Sequence, residues 1–206
     1  MDSVGFRMVR TFRLELIEQV MSSLTARAKQ ADERFRFTDL GQREGVVWKL
    51  VCERPAHMLD PQFNSWHEAL LAAADATIET FTGDGSVLES HTWGERNIVR
   101  IRHPLSRAIP LLARWLDMPA EPLPGDSHMP RVQGQTFGAS QRMVVSPGHE
   151  QDAIFHMPSG QSGHPLSPFF GAGHDAWVRG EPTPFLPGET LYRLELVPLD
   201  DLATIG

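Results

Sequence analysis

MPAEPLPGD, residues 118–126, places Pro119, Pro122 and Pro124 within six positions and divides the chain into two kinds of sequence. Each proline lacks a backbone donor and fixes its own φ, so the stretch has no room for a helix or an interior strand. Upstream of it, apolar residues recur at helical spacing. Downstream, short β-like runs alternate with glycine- and proline-rich loops. Helices first and strands afterwards point to an α+β chain.

The upstream part predicts three helices. From Phe12 to Ala28, Leu14, Ile17, Val20, Met21 and Leu24 fall at three- and four-residue steps and make one apolar face. A second helix starts at Ser65, where SWHE forms a capping box with Glu68, and runs to about Phe81 with Trp66, Leu70, Ala74, Ile78 and Phe81 inward. A third begins near Pro104 and carries Leu105, Ile109, Leu112 and Leu116. GVVWKLVCE, residues 45–53, fits either a buried strand or a helical turn.

Three β-like runs follow the proline stretch: QRMVVS (141–146), DAIFHM (152–157) and TLYRLELVP (190–198). The last alternates cleanly, with Leu191, Arg193, Glu195 and Val197 on one side and Tyr192, Leu194 and Leu196 on the other. So few strands make a poor free-standing sheet, and its exposed edge is a liability. The sheet calls for more strands than the chain supplies. The expected organisation is one partial domain, mainly helical over 1–118 and strand- and loop-rich over 119–206.

Composition excludes several classes. The 206 residues are 41% hydrophobic and 22% charged, which fits a globular protein. A net charge of −7 gives no basic stripe for nucleic acid, and the arginines of RNIVRIRHPLSR (96–107) are spaced among apolar residues. No apolar run approaches the ~18 residues that span a membrane. The first twenty residues are interrupted by charges throughout and do not read as a signal peptide. The single cysteine, Cys52, sits in an apolar run and reads as a buried structural thiol.

The loop PSGQSGHPLSP (158–168) invites a catalytic reading, with three serines and a histidine among glycines and prolines. A nucleophile elbow needs G-x-S-x-G at a strand-to-helix turn. Here Gly160 and Gly163 flank Ser162 at the wrong spacing, and Pro165 blocks an immediate helix. GAS at Gly138–Ser140 lacks the elbow as well. His128, His149, His156, His164 and His174 share the second half with Asp126, Asp152 and Asp175, but spacings of 21, 7, 8 and 10 match no paired metal ligand. They read as exposed or hydrogen-bonded loop histidines, and Asp32-Glu33 and Asp200-Asp201 as solvated carboxylates.

The order of several motifs carries more than any one of them. GASQRMVVS (138–146), then PSGQSGHPLSP, then Trp177 and Gly180, resembles the C-terminal end of the β chain in the penicillin amidase family. SVGFRMVRTFR (3–13), SWHEALLAA (65–73), TWGERN (92–97), RHPLSRAIPLL (102–112) and PGD (124–126) agree with it. The sequence departs from the family pattern at Gln141, where an aromatic is common, and at FFGAGHDAW (169–177).

The resemblance implies an N-terminal-nucleophile hydrolase of penicillin, cephalosporin or acyl-homoserine-lactone acylase type. Such an enzyme is a four-layer αββα sandwich that cleaves linear amides in acylated small molecules. It attacks with an N-terminal serine whose α-amine, of pKa about 8, is the base. That serine and the oxyanion asparagine belong upstream of the region matched by SVGFRMVRTFR. No residue of this chain then matches a catalytic, cofactor or metal position, and the chain is expected to be an inactive C-terminal portion of the β chain. Ser3 reads as the approach to a helix. PSGQSGHPLSP reads as a supporting loop after a strand. The implied partners are the upstream part of the β chain and the α chain, or a second copy docked through the exposed sheet, and the implied location is periplasmic or secreted. A non-catalytic binding subunit is the alternative, and a histidine-dependent metal hydrolase a third reading.

Overall fold

A computed structural model describes residues 1–198. It contains α-helices α1 (Val4–Val20), α2 (Ala26–Ala31), α3 (Arg43–Glu53), α4 (Trp66–Thr82), α5 (Trp93–Arg96), α6 (Pro104–Ala108), α7 (Ala113–Leu116) and α8 (His174–Arg179), and strands β1 (Arg142–Val144) and β2 (Ile154–His156). The composition is mixed α and β, with α1–α7 before the two strands and α8 after them. The chain forms two compact units that interleave in sequence. One comprises residues 1–99 and 120–136, the other residues 100–119 and those from 137 onward.

In the first unit, α1 begins earlier than the apolar spacing predicts. Ser3 caps it, its Oγ accepting the amide of Phe6 at 3.0 Å, so SVGFRMVRTFR is helix and not an approach to one. It also ends earlier. Residues 21–25 form a turn in which Ser22 Oγ donates to Asp60 Oδ2 and Thr25 Oγ1 to the Met21 carbonyl, both at 2.8 Å. The local bond of Thr25 competes with the helix, and Ser22 is drawn to a carboxylate 38 residues away. Leu24, expected inside, is half exposed.

The helix α4 runs as the capping box predicts, with Ser65 Oγ accepting the Glu68 amide at 3.1 Å. Its buried face is Trp66, Ala69, Ala73, Thr77 and Phe81, turned by one residue from the expected one, and Ile78 is exposed. Small side chains decide this. Ala69 and Ala73 let α1 approach closely enough for Gln19 Nε2 to donate to the Ala69 carbonyl at 2.8 Å. We expect Ser65→Ala to cost about 1 kcal/mol of stability, read by urea unfolding.

The ambiguous run 45–53 is helical: it lies in α3, between Gln42 and Arg54, both at positive φ. Val47 joins Ile17, Val20, Met21 and Trp66 in the core. Cys52 faces solvent, which corrects the expected buried thiol. A thiol on the outer side of an amphipathic helix has nothing to pack against.

In the second unit the expected helix from Pro104 breaks into pieces. His103 Nδ1 caps α6 by accepting the Leu105 amide at 3.1 Å, and Pro110, with no N–H to offer, stops the helix at Ala108. A 3-10 turn over Pro110–Leu112 and then α7 complete the segment. Leu105 and Ile109 are exposed as a result.

The strands β1 and β2 pair antiparallel, Arg142 opposite His156, Met143 opposite Phe155 and Val144 opposite Ile154. The far edge of β2 is taken by residues 183–185: the Phe155 amide donates to the Thr183 carbonyl at 3.0 Å and the Phe185 amide to that of Ala153 at 2.9 Å. The expected strand over 190–198 does not form. Leu191, Tyr192, Leu194 and Leu196 are more than 80% exposed. With β1 and 183–185 on either side of β2, no inner edge is left for that segment. No helix among the described residues is long and apolar enough to cross a membrane.

Candidate functional site

The loop 158–168 borders a concavity of the second unit of about 600 Å³, lined by Phe155, Met157, Ser159, Gln161, Phe169 and Thr183 among others. Two glycines shape it. A Cβ at Gly160 would lie 1.7 Å from the Phe169 carbonyl oxygen, and one at Gly173 would lie 2.7 Å from that of Ser159. The Gly160 amide donates to the Phe170 carbonyl at 2.7 Å, closing the loop on itself.

The serine and histidine that invited a catalytic reading serve this turn. Ser162 Oγ accepts the amide of His164 at 3.1 Å, and His164 Nδ1 accepts that of Leu166 at 3.2 Å. Each is held on backbone two residues further on, as turn-forming side chains are. Ser3 is likewise a helix cap.

The histidines separate into two groups. His128, His149 and His164 are exposed, as expected. His156 and His174 are each 2% exposed and hydrogen-bonded, the other expected state, but they stand on β2 and α8 and not in loops. His174 Nδ1 is 2.8 Å from the Pro158 carbonyl, which fixes the proton on that nitrogen, and its ring stacks on Trp177 at 6.1 Å between centroids. His156 lies between the Glu181 carbonyl at Nε2 and Arg142 Nη1 at Nδ1. Arg142 Nη1 also donates to the Trp177 carbonyl at 3.1 Å, and Trp177 Nε1 to that of Ala139 at 2.9 Å. Burial pulls the Arg142 guanidinium below its usual value.

This cluster ties β1, β2 and α8 together through polar bonds inside the unit. In the sequence Trp177 is only a motif letter, while Arg142 lies in the β-like run QRMVVS. No three His, Cys, Asp or Glu side chains converge among the described residues. Asp32 and Glu33 are exposed, and Asp200-Asp201 lies outside the described residues.

A second convergence lies in the first unit, where three of the separated motifs meet. Trp93 is 4% exposed, stands edge-on to Phe6 at 4.9 Å, and donates from Nε1 to the Gly125 carbonyl at 3.0 Å. The guanidinium carbons of Arg10 and Arg96 lie 5.3 and 5.4 Å from the centre of its ring. Arg10 Nε donates to Asp126 Oδ2 at 2.6 Å, and Arg7 pairs with Glu95. Asn97 Nδ2 donates to the Leu123 carbonyl at 2.8 Å.

SVGFRMVRTFR, TWGERN and PGD therefore form one structural node. Sequence models of known families decide what it belongs to: that of the penicillin amidase family matches residues 1–190. The chain belongs to that family. Penicillin acylase 2 proenzyme of Pseudomonas sp. (strain SE83) is 30% identical over 173 residues, which take in 75% of this chain and 21% of the relative. The chain spans about a fifth of the length of the curated relative it matches.

The electrostatics of the node are testable. Burial opposes the charge on Asp126, but hydrogen bonds from Arg10 and the Ser127 amide, with the Arg10 and Arg96 charges, outweigh it and hold the carboxyl below its ordinary value. Its contribution to stability is thus complete above the unfolded value of about 4 and is lost as pH falls through the lower, folded one. Asp126→Asn should cost about 2 kcal/mol at neutral pH and flatten the loss of stability below about pH 4. Urea unfolding at several pH values reads both.

Proposed function

We propose that this chain is a C-terminal portion of the β chain of a penicillin-amidase-type acylase, an enzyme that hydrolyses linear amides of acylated small molecules such as β-lactam antibiotics or N-acyl-homoserine lactones. The family match over residues 1–190 carries the reading. In it, the nucleophilic serine, its α-amine and the oxyanion donors reside upstream, and the α+β units described here complete an αββα sandwich. No side chain of this chain acts as nucleophile or base. Ser3 and Ser162 both accept backbone amides in structural turns, which supports that division of labour.

The exposed apolar surface supports it too. Trp48 on α3 and Met143, Val144 and Phe169 in the second unit are each more than half exposed. Surfaces of this kind mark contacts with other polypeptide. The purified chain, incubated with a chromogenic N-acyl amide, is expected to release no product above the uncatalysed rate. Turnover that survives repurification would overturn the assignment of the nucleophile to the upstream part.

A further inference from the structure

Two features of the second unit are complementary and unused. The outer edge of β1 has no strand beside it among the described residues. Its Met143 and Val144, and Val145 just beyond, are 58%, 57% and 43% exposed. The segment 190–198 has the alternation of a strand, is unpaired, and leaves the sheet from the opposite side, after 183–185. It also lies at and past the end of the family match. An apolar strand edge left bare invites pairing with another chain.

We propose that residues 190–197 of one copy add as an antiparallel strand to the β1 edge of a second copy, and the reverse, giving a closed two-fold dimer of this chain. The pairing register follows from charge and face. With Glu195 opposite Arg142, Leu194 falls opposite Met143, Arg193 opposite Val144 and Tyr192 opposite Val145. Leu194 then extends the sheet face that carries Met143, Phe155 and Phe185, where the two phenylalanines already stand edge to face at 5.7 Å. Glu195 comes beside Arg142, whose Nη2 is buried without a hydrogen-bond partner among the described residues. A slip of one residue turns Leu194 onto the Arg142 face, and a slip of two loses the charge pair.

Reciprocal exchange pairs the β1 edge of both copies at once, which is why it closes at two. The dimer is the state of this chain by itself. In a complete acylase the β1 edge is open to a strand from the upstream part, so the inference stands or falls apart from the acylase reading.

Sedimentation equilibrium of the purified chain tests it. The expected mass is twice 23.0 kDa, falling to 23.0 kDa in Tyr192→Asp/Leu194→Asp with the far-ultraviolet dichroism unchanged. A register test keeps the result specific. In a Cys52→Ser background, Met143→Cys and Leu194→Cys chains mixed together should cross-link on oxidation, since facing Cβ atoms of paired strands lie within about 5.5 Å. A monomer at every concentration overturns the proposal. So does a dimer indifferent to the tail substitutions, or a doubly substituted chain that cross-links only within itself.

Discussion

Trp93→Ala is expected to be the most damaging single truncation in the first unit, lowering its stability by about 4 kcal/mol in urea unfolding. Three losses add up at this position. The ring is 4% exposed and packs edge-on against Phe6, so alanine leaves a cavity lined by side chains of α1. The indole donor to the Gly125 carbonyl goes, leaving that acceptor without its indole partner. Arg10 and Arg96 lose the ring that both approach. Burial and then the like charge of Arg10 already push the Arg96 guanidinium below its usual value, so this pair is poorly placed to collapse into the gap. Trp93→Phe should recover more than half of the loss, because it restores most of the packing and not the hydrogen bond. Equal effects of the two substitutions would mean that the bond to Gly125, not the packing, holds the node.

The second large effect concerns two glycines of one loop. Gly160→Ala is expected to destabilise the second unit by at least about 3 kcal/mol, whereas Gly163→Ala stays within about 1 kcal/mol of the parent. At Gly160 the added carbon meets backbone at 1.7 Å, and backbone cannot rotate away as a flexible side chain can. At Gly163 nothing lies within 4 Å. The same contrast separates a structural loop from a catalytic one. If PSGQSGHPLSP were a nucleophile loop, Ser162→Ala would be the telling substitution. Here Ser162→Ala removes only a turn bond to the His164 amide and is expected to cost less than about 1 kcal/mol. Thermal unfolding of the three variants side by side decides between the readings.

What the residues disclosed in advance depended on how local the cause was. The α4 cap was legible because its cause lies within one turn: Ser65 Oγ accepts the Glu68 amide, and Glu68 Oε2 accepts the amide of Asn64. β1 and β2 were legible from composition, and their pairing follows from a short connection. The inward face of α4 was misread because hydropathy favours Leu70 and Ile78, whereas the approach of α1 selects Ala69 and Ala73. Closeness between helices rewards small residues, and no single-helix pattern contains that information. Pro110 is a breaker legible in the sequence, and its missing donor outweighs the apolar spacing around it.

The sites divide in the same way. The motifs SVGFRMVRTFR, TWGERN and PGD carried the family resemblance, but nothing in their letters says that Arg10 reaches Asp126, 116 residues away. His156 and His174 looked like loop histidines because loops surround them. Their partners come from elsewhere in the chain: Arg142 and the Glu181 carbonyl for His156, and the Pro158 carbonyl for His174. The tail 190–198 reads as a strand and is unpaired for the opposite reason: its pattern is local, and its partner is not.

The central claim, that the chemistry of this protein lies in polypeptide upstream of these residues, is tested most directly on the native protein. An antibody against this region, followed by mass determination and N-terminal sequencing of what it captures from the source cells, should find a polypeptide well above 23.0 kDa that begins with serine. A captured polypeptide of 23.0 kDa that hydrolyses an N-acyl amide unaided would contradict it.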